Sequence, residues 1–239
     1  MALGRARKER PPRPEGGIIT ALKPKGSDGS RVSVHLEGAH AFTLSAAIAA
    51  RTGLQKDQFL SDEDLAALLQ EDEPERAREA ALEMLGHREM CAAEVAGKLG
   101  SLGISERTVA ETIVWLQQRD YVDDRRFAAA YAASKLKAGW GRQRIALELV
   151  RKGVSRELVT GEAWQDLVEL PGGLEGLQQT VDLVRRRFAG QLRSDPQGAR
   201  RRINGFLARR GHDWETISAI LRAVEEEDSG GDSEEWQRP

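Results

Sequence analysis

Three stretches, "CAAEVAGKLGSLGISERTVAETI" (91–113), "GRQRIALELVRKGVSRELVTGEA" (141–163) and "ARRRINGFLARRGHDWETISAIL" (199–221), follow one pattern. Val95, Ile145 and Ile203 correspond, as do Leu99, Leu149 and Leu207, then Gly103, Gly153 and Gly211, then Val109, Val159 and Ile217. The copies are offset by 50 and then 58 residues, the longer step containing a linker, "VELPGGLEG". A repeat of this length signals a tandem array rather than a single core.

Each repeated glycine falls where a helix ends in a left-handed residue, and two residues later Ser105, Ser155 or Asp213 supplies the oxygen that starts the next helix. Ile104 and Val154 precede those caps and are placed to pack on Val109 and Val159; His212 breaks that pattern in the third copy. Apolar residues at helical period ahead of each pair predict one more helix, near 74–87, 123–138 and 174–191, with Pro74 as a good first helical residue. The unit is a three-helix module, and three of them stack as an elongated array. The fold is therefore mainly α.

Upstream the period changes. In "GGIITALKPKGSDGSRVSVHLEGAHAFTL" Val32, Val34 and Leu36 alternate with Ser33, His35 and Glu37, and "GSDGS" and "EGAH" supply turns. A meander of three short strands packed on helices near 45–52 and 61–71 is expected. The domain reading is then a basic disordered tail (1–15), a small N-terminal β-containing domain (16–72), repeats at 73–122, 123–170 and 171–226, and an acidic disordered tail (227–239).

The chain has 239 residues, 40% hydrophobic and only 5% aromatic, which suits small helical modules with thin cores. Cys91 is the sole cysteine, so no internal disulfide and no cysteine-based zinc site can form. No apolar run approaches the ~18 residues of a membrane span, and the basic start lacks the apolar segment of a signal peptide. A cytoplasmic protein is expected. The net −2 hides a basic start and an acidic end, and without the latter the chain is net basic. A monomer with a polyanionic partner and no membrane contact is expected.

Among candidate sites, Asp123 and Asp124 in "YVDDRRF" read as a helix start, Asp123 as cap and Asp124 in the first turn, with Val122 packing on Phe127. A metal-dependent enzyme would use them with Asp120, but more oxygen ligands would be needed. His35, His40, His87 and His212 show no ligand spacing, and no phosphate loop or nucleophile motif occurs, so neither cofactor nor catalysis is expected. The basic residues are more informative. Arg144 and Arg151 share an exposed helix face and recur as Arg202 and Arg209; Arg142 and Lys152 recur as Arg200 and Arg210. Repeat one has Glu94, Ser101, Ala92 and Leu102 there. With Lys135 and Lys137, and Arg185, Arg186 and Arg187, these residues form a basic strip suited to phosphates or an acidic protein groove. A duplex-DNA regulator would carry basic residues at the start of each module's last helix, where this chain is acidic or neutral. Trp140 and Trp164 could stack on bases, though helical aromatics more often fill cores.

The runs "YVDDRRFA" (121–128), "GRQRIALELVRKG" (141–153) and "LGHR" (85–88) resemble the RecX family, regulators of the RecA recombinase, over residues 74–165, with a weaker third repeat. The resemblance implies a tandem three-helix-repeat protein that binds the groove of the RecA filament on single-stranded DNA and inhibits its ATPase, strand-exchange and co-protease activities. A transcriptional regulator binding duplex DNA is the alternative. One departure is Cys91 where the family has a serine or threonine cap, which predicts a looser helix start.

Overall fold

The computed structural model describes residues 15–26, 29–160, 164 and 173–230. Residues 1–14 of the expected basic tail, 231–239 of the expected acidic tail, most of the linker and the centre of the "GSDGS" turn lie outside these residues, whereas 227–230, expected as disordered tail, continue the last helix. The chain is mainly helical and divides into two compact units, Met1–Gly86 with Leu99–Thr112, and His87–Lys98 with Ile113–Pro239.

In the first unit, β1 (Gly17–Lys25), β2 (Arg31–Leu36) and β3 (Ala39–Ser45) form the expected antiparallel meander. A fourth strand, β4 (Phe59–Leu60), joins the outer edge of β1, giving the order β3-β2-β1-β4. Between β2 and β3, Glu37 and Gly38 both have positive φ, 49° and 84°. That two-residue turn matches the twist of the strands. The Glu37 carboxylate is held by the Ile18 N–H at 2.8 Å. Ile19, Val34, Leu36, Phe42 and Leu44 face inward and pack with Ile48 of α1 (Ala46–Arg51) and with Leu65 and Leu68 of α2 (Asp62–His87).

Helix α2 runs from Asp62 to His87 with Pro74 inside it, so the two helices expected at 61–71 and 74–87 are one. Proline removes one backbone bond and crowds the preceding turn. The two residues before it are anchored to other elements of the unit. Asp72, 1% exposed, accepts from the Ser45 N–H at 2.7 Å and pairs with Arg31 at 2.9 Å. Glu73 accepts from Ser105 and Thr108, with Thr108 Oγ1 at 2.7 Å. Residue 72, the expected end of the N-terminal domain, therefore lies within a helix.

The repeat pattern is met in α3 (Ala92–Ser101) and α4 (Glu106–Gln117), in α5 (Asp124–Lys137) and α6 (Arg142–Arg151), and in α7 (Gly173–Ser194), α8 (Pro196–Arg209) and α9 (Trp214–Gly230). Gly103, Gly153 and Gly211 have φ of 80°, 95° and 81°. At each, the glycine N–H donates three residues back, and the next N–H donates to the carbonyl of Leu99, Leu149 or Leu207. This paired closure satisfies carbonyls that a helix end leaves bare. Ser105, Ser155 and Asp213 then accept from the first turn of the following helix, as expected. Ile145, Leu149, Ile203 and Leu207 are fully buried, each stabilising by ~1.5–3 kcal/mol.

The closing helix of repeat two differs from expectation. It begins as a 3-10 turn, Arg156–Val159, and Thr160 leaves it with extended backbone, its hydroxyl donating to the Arg156 carbonyl at 2.8 Å. Val159, Thr160 and Gly161 in succession are poor helix formers. Trp164 is helical and buried in the repeat-two core, while residues 161–163 and 165–172 lie outside the described set.

Asp123 caps α5, accepting from the Arg125 and Arg126 N–H groups at 2.8 and 3.0 Å. Asp124 does something the sequence did not announce: it accepts from the Ala92 N–H at 2.8 Å and so caps α3 of the preceding repeat. The start of α3 is thus secured although Cys91 supplies no oxygen. The Cys91 thiol instead donates to the Lys152 carbonyl, and the next residue, Gly153, is pressed against Ala93. A Cβ at Gly153 would lie 2.2 Å from that of Ala93.

Three substitutions test the turn and the cap. Gly153→Ala should lower unfolding free energy in urea by more than about 1 kcal/mol, since positive φ and lack of space act together. Gly97→Ala, in α3 with open space around it, should instead be neutral or stabilising by up to ~1 kcal/mol. Asp124→Ala should cost about 0.5–2 kcal/mol through the lost cap.

Candidate nucleic-acid interface

Along α5, Phe127, Tyr131 and Lys135 are spaced four apart and share a face. The rings of Phe127 and Tyr131 stack with centroids 6.2 Å apart. Lys152 Nζ lies 5.9 Å from the Phe127 ring and 5.6 Å from Tyr131. Lys135 Nζ stands over Tyr131 at 5.2 Å and over Trp140 at 4.8 Å, and Arg144 covers Trp140 at 4.3 Å. Repeat three continues the theme: Arg210 lies over Phe206 at 4.5 Å and Arg187 over the same ring at 5.2 Å. Cations and rings thus alternate across two repeats. Each exposed contact of this kind contributes ~0.5–1 kcal/mol and fixes a flexible charged side chain in place.

The junction of repeats two and three organises this row. The Gly141 N–H donates to the Arg210 carbonyl at 2.7 Å, and a Cβ on Gly141 would lie 2.1 Å from the Gly211 carbonyl. Arg144 donates to the Arg209 carbonyl at 3.0 Å, at the end of α8. Arg210 reciprocates, donating to the Ala138 and Gly139 carbonyls at the end of α5. Cationic donors are favourable at these negative helix ends. Both arginines are half-buried and engaged on their own protein.

The other expected residues are placed differently. Arg142, Arg202, Arg209 and Lys137 are exposed, and their side chains make no ion pair with a described residue. Arg151 pairs with Glu148 at 3.1 Å on its own helix, and Arg200 with Glu225 at 3.2 Å. Lys152 pairs with Glu94 at 2.8 Å. Although burial pushes the Glu94 carboxyl up, hydrogen bonds from Arg88 and Lys152 and their charges hold it below the usual carboxylate range. Trp140 is half-buried under its two cations. Sequence reasoning missed Tyr131 and Phe206, which the four-residue spacing to Lys135 and Arg210 would have flagged.

Asp123 and Asp124 are accounted for by caps. Asp120 has φ of 57° and ends α4, its carbonyl accepting from Arg126. Among the described residues no group of three or more His, Cys, Asp or Glu side chains is placed to hold a metal ion. No described helix is long and apolar enough to cross a membrane.

Regulatory protein RecX of Cronobacter sakazakii is 33% identical over 161 residues, which span 63% of this chain and 93% of that one. The chain belongs to the RecX family. RecX models of the second and third three-helix domains match residues 123–160 and 175–221, the stretches that carry the cation–aromatic row. Regulatory protein RecX of Clostridium perfringens is 24% identical over 87% of this chain and 96% of its own. A crystal structure of regulatory protein RecX shares the fold with a TM-score of 0.60 at 17% identity, covering 87% of this chain and 98% of that one. RecX from Lactobacillus salivarius does so with a TM-score of 0.58 at 22% identity, over 64% and 97%. The role that RecX membership carries to this chain is regulatory.

One pH dependence belongs to the junction. Burial pushes the His212 imidazole below its ordinary value of 6.5, against the opposing effects of the Gly139 carbonyl 3.2 Å from Nε2 and of Asp213, while Arg210 adds to the lowering. A depressed folded value means that the unfolded chain takes up the proton first, so stability falls as pH drops below 6.5. His212→Gln should flatten that part of a urea-stability profile.

Proposed function

We propose that this chain is a negative regulator of the RecA recombinase that lies in the groove of the RecA filament on single-stranded DNA and inhibits its ATPase, strand-exchange and co-protease activities. The observation that supports this most directly is the row of cations set on aromatic rings across repeats two and three, flanked by the exposed Arg142, Arg202, Arg209 and Lys137. A long anionic partner is met by charge that recurs from repeat to repeat, and its phosphates supply a large share of the binding free energy through counterion release. In this reading the partners are RecA and single-stranded DNA, the site is the cytoplasm, and the protein acts as a monomer without cofactor. The working repeats are 123–170 and 171–226; repeat one, with Glu94 paired to Lys152, contributes less.

The last helices of the repeats carry an acidic residue in the first turn, Glu106, Glu157 and Glu215. Major-groove reading of duplex DNA would require the opposite charge there.

The test is RecA ATPase on single-stranded DNA titrated with the wild-type protein and with a variant carrying Lys137→Glu, Arg142→Glu, Arg202→Glu and Arg209→Glu. These positions lack described ion pairs, so the variant should fold. Its half-inhibitory concentration should rise by more than about tenfold, and normal inhibition by the folded variant would sink the proposed surface.

A further inference from the structure

The first two repeat junctions solve the same problem with opposite charge. Positions 94 and 152 of the first correspond to 144 and 210 of the second. In the first, a carboxylate stands between two cations, Glu94 binding Lys152 at 2.8 Å and Arg88 at 3.0 Å. In the second, both positions hold arginine, and Arg187 of α7 adds a third cation over the ring that Arg210 also covers. None of the three forms an ion pair with a described carboxylate. Like charges gathered beside a packed interface oppose folding unless an anion joins them.

We propose that Arg144, Arg187 and Arg210 form a phosphate-binding site at the junction of repeats two and three. The Ala138, Gly139 and Arg209 carbonyls each take a donor from one Nη1 of Arg144 or Arg210. A guanidinium has five N–H donors, so both retain several for a ligand. The carbonyls and the Trp140 and Phe206 rings fix where those donors stand, which removes much of the ordering cost of binding. Arg187 is exposed, makes none of the junction's backbone bonds and lies over the same Phe206 ring as Arg210, so its donors are available to a ligand from solvent. Burial, with the charges of Arg187 and Arg144, lowers the affinity of Arg210 for its own proton, consistent with a cluster that lacks its counter-charge. A planar, multi-donor cation suits the oxygens of a phosphate. The proposal deepens the filament-binding reading by naming the chemistry one part of that surface takes, and it rests on that reading only for the biological source of the phosphate.

The experiment uses the full chain without RecA. Binding of a fluorescent oligothymidylate with hydroxyl ends, and thermal stabilisation by inorganic phosphate, are measured for the wild type, Arg187→Gln, Arg187→Lys and, as control, Arg193→Gln, an exposed arginine of the same helix. Arg187→Gln should weaken oligothymidylate binding by about tenfold and reduce its salt slope by about one, with Arg193→Gln near wild type and Arg187→Lys between. Oligothymidylate affected more than inorganic phosphate identifies a backbone phosphodiester as the source; phosphate stabilisation alone lost in Arg187→Gln identifies a free or terminal phosphate. Either supports the site. Equal losses in Arg187→Gln and Arg193→Gln, or no loss in either, overturn it, as does equal binding of polyglutamate. Since RecA is absent, that failure leaves the exposed-residue ATPase result standing, and the converse holds too.

Discussion

At Gly153 and Gly211 the backbone turns left-handed within touching distance of the helix start of the repeat before, leaving no room for a side chain. The other features of the second unit are arranged around that constraint. Because the turns approach so closely, the carbonyls that end one helix come within reach of the side chains that begin another. Arg144 and Arg210 exchange such contacts across one junction, and the Cys91 thiol meets the Lys152 carbonyl across the other. A turn held further away would leave these cations as loose surface charges. Held close, they are fixed over rings and present their remaining donors in a set order.

The same closeness explains why two adjacent aspartates do two jobs. Asp123 completes the helix it precedes, by the ordinary rule. Asp124, one residue on, faces the neighbouring repeat and completes α3. Burial pushes the Cys91 thiol up, with the nearby charges of Glu94 and Asp124 adding to the effect, so the residue at the α3 start serves as an apolar filler and weak donor. The cap of α3 is a carboxylate supplied by the neighbouring repeat.

Much of this was legible from the chain alone. The three glycines, the caps two residues beyond them and the buried aliphatics at 95, 99, 145, 149, 203 and 207 are local signals of period and turn, and the structure has them where the pattern put them. What escaped was tertiary. Pro74 reads as a helix start until Asp72 and Glu73, the two residues before it, are seen tied down within the same helix. The face occupied by Arg144 reads as solvent until the next repeat is packed against it, because a helical pattern shows which side is polar but not what polar group lies opposite. β4, only two residues long, carries too little alternation to be recognised.

The direction of the junction contacts bears on how the protein is made. Asp124 secures a helix that begins 32 residues earlier, Gly153 closes on Ala93, and the Arg210 carbonyl receives the Gly141 N–H. In each case the later residue finishes the earlier one. A chain emerging from the ribosome in sequence order exposes α3 before its cap exists and α6 before its partner turn exists. Each repeat therefore waits, incomplete at one helix end, for the next to be synthesised, and an interrupted chain carries an open helix start at its most recent repeat.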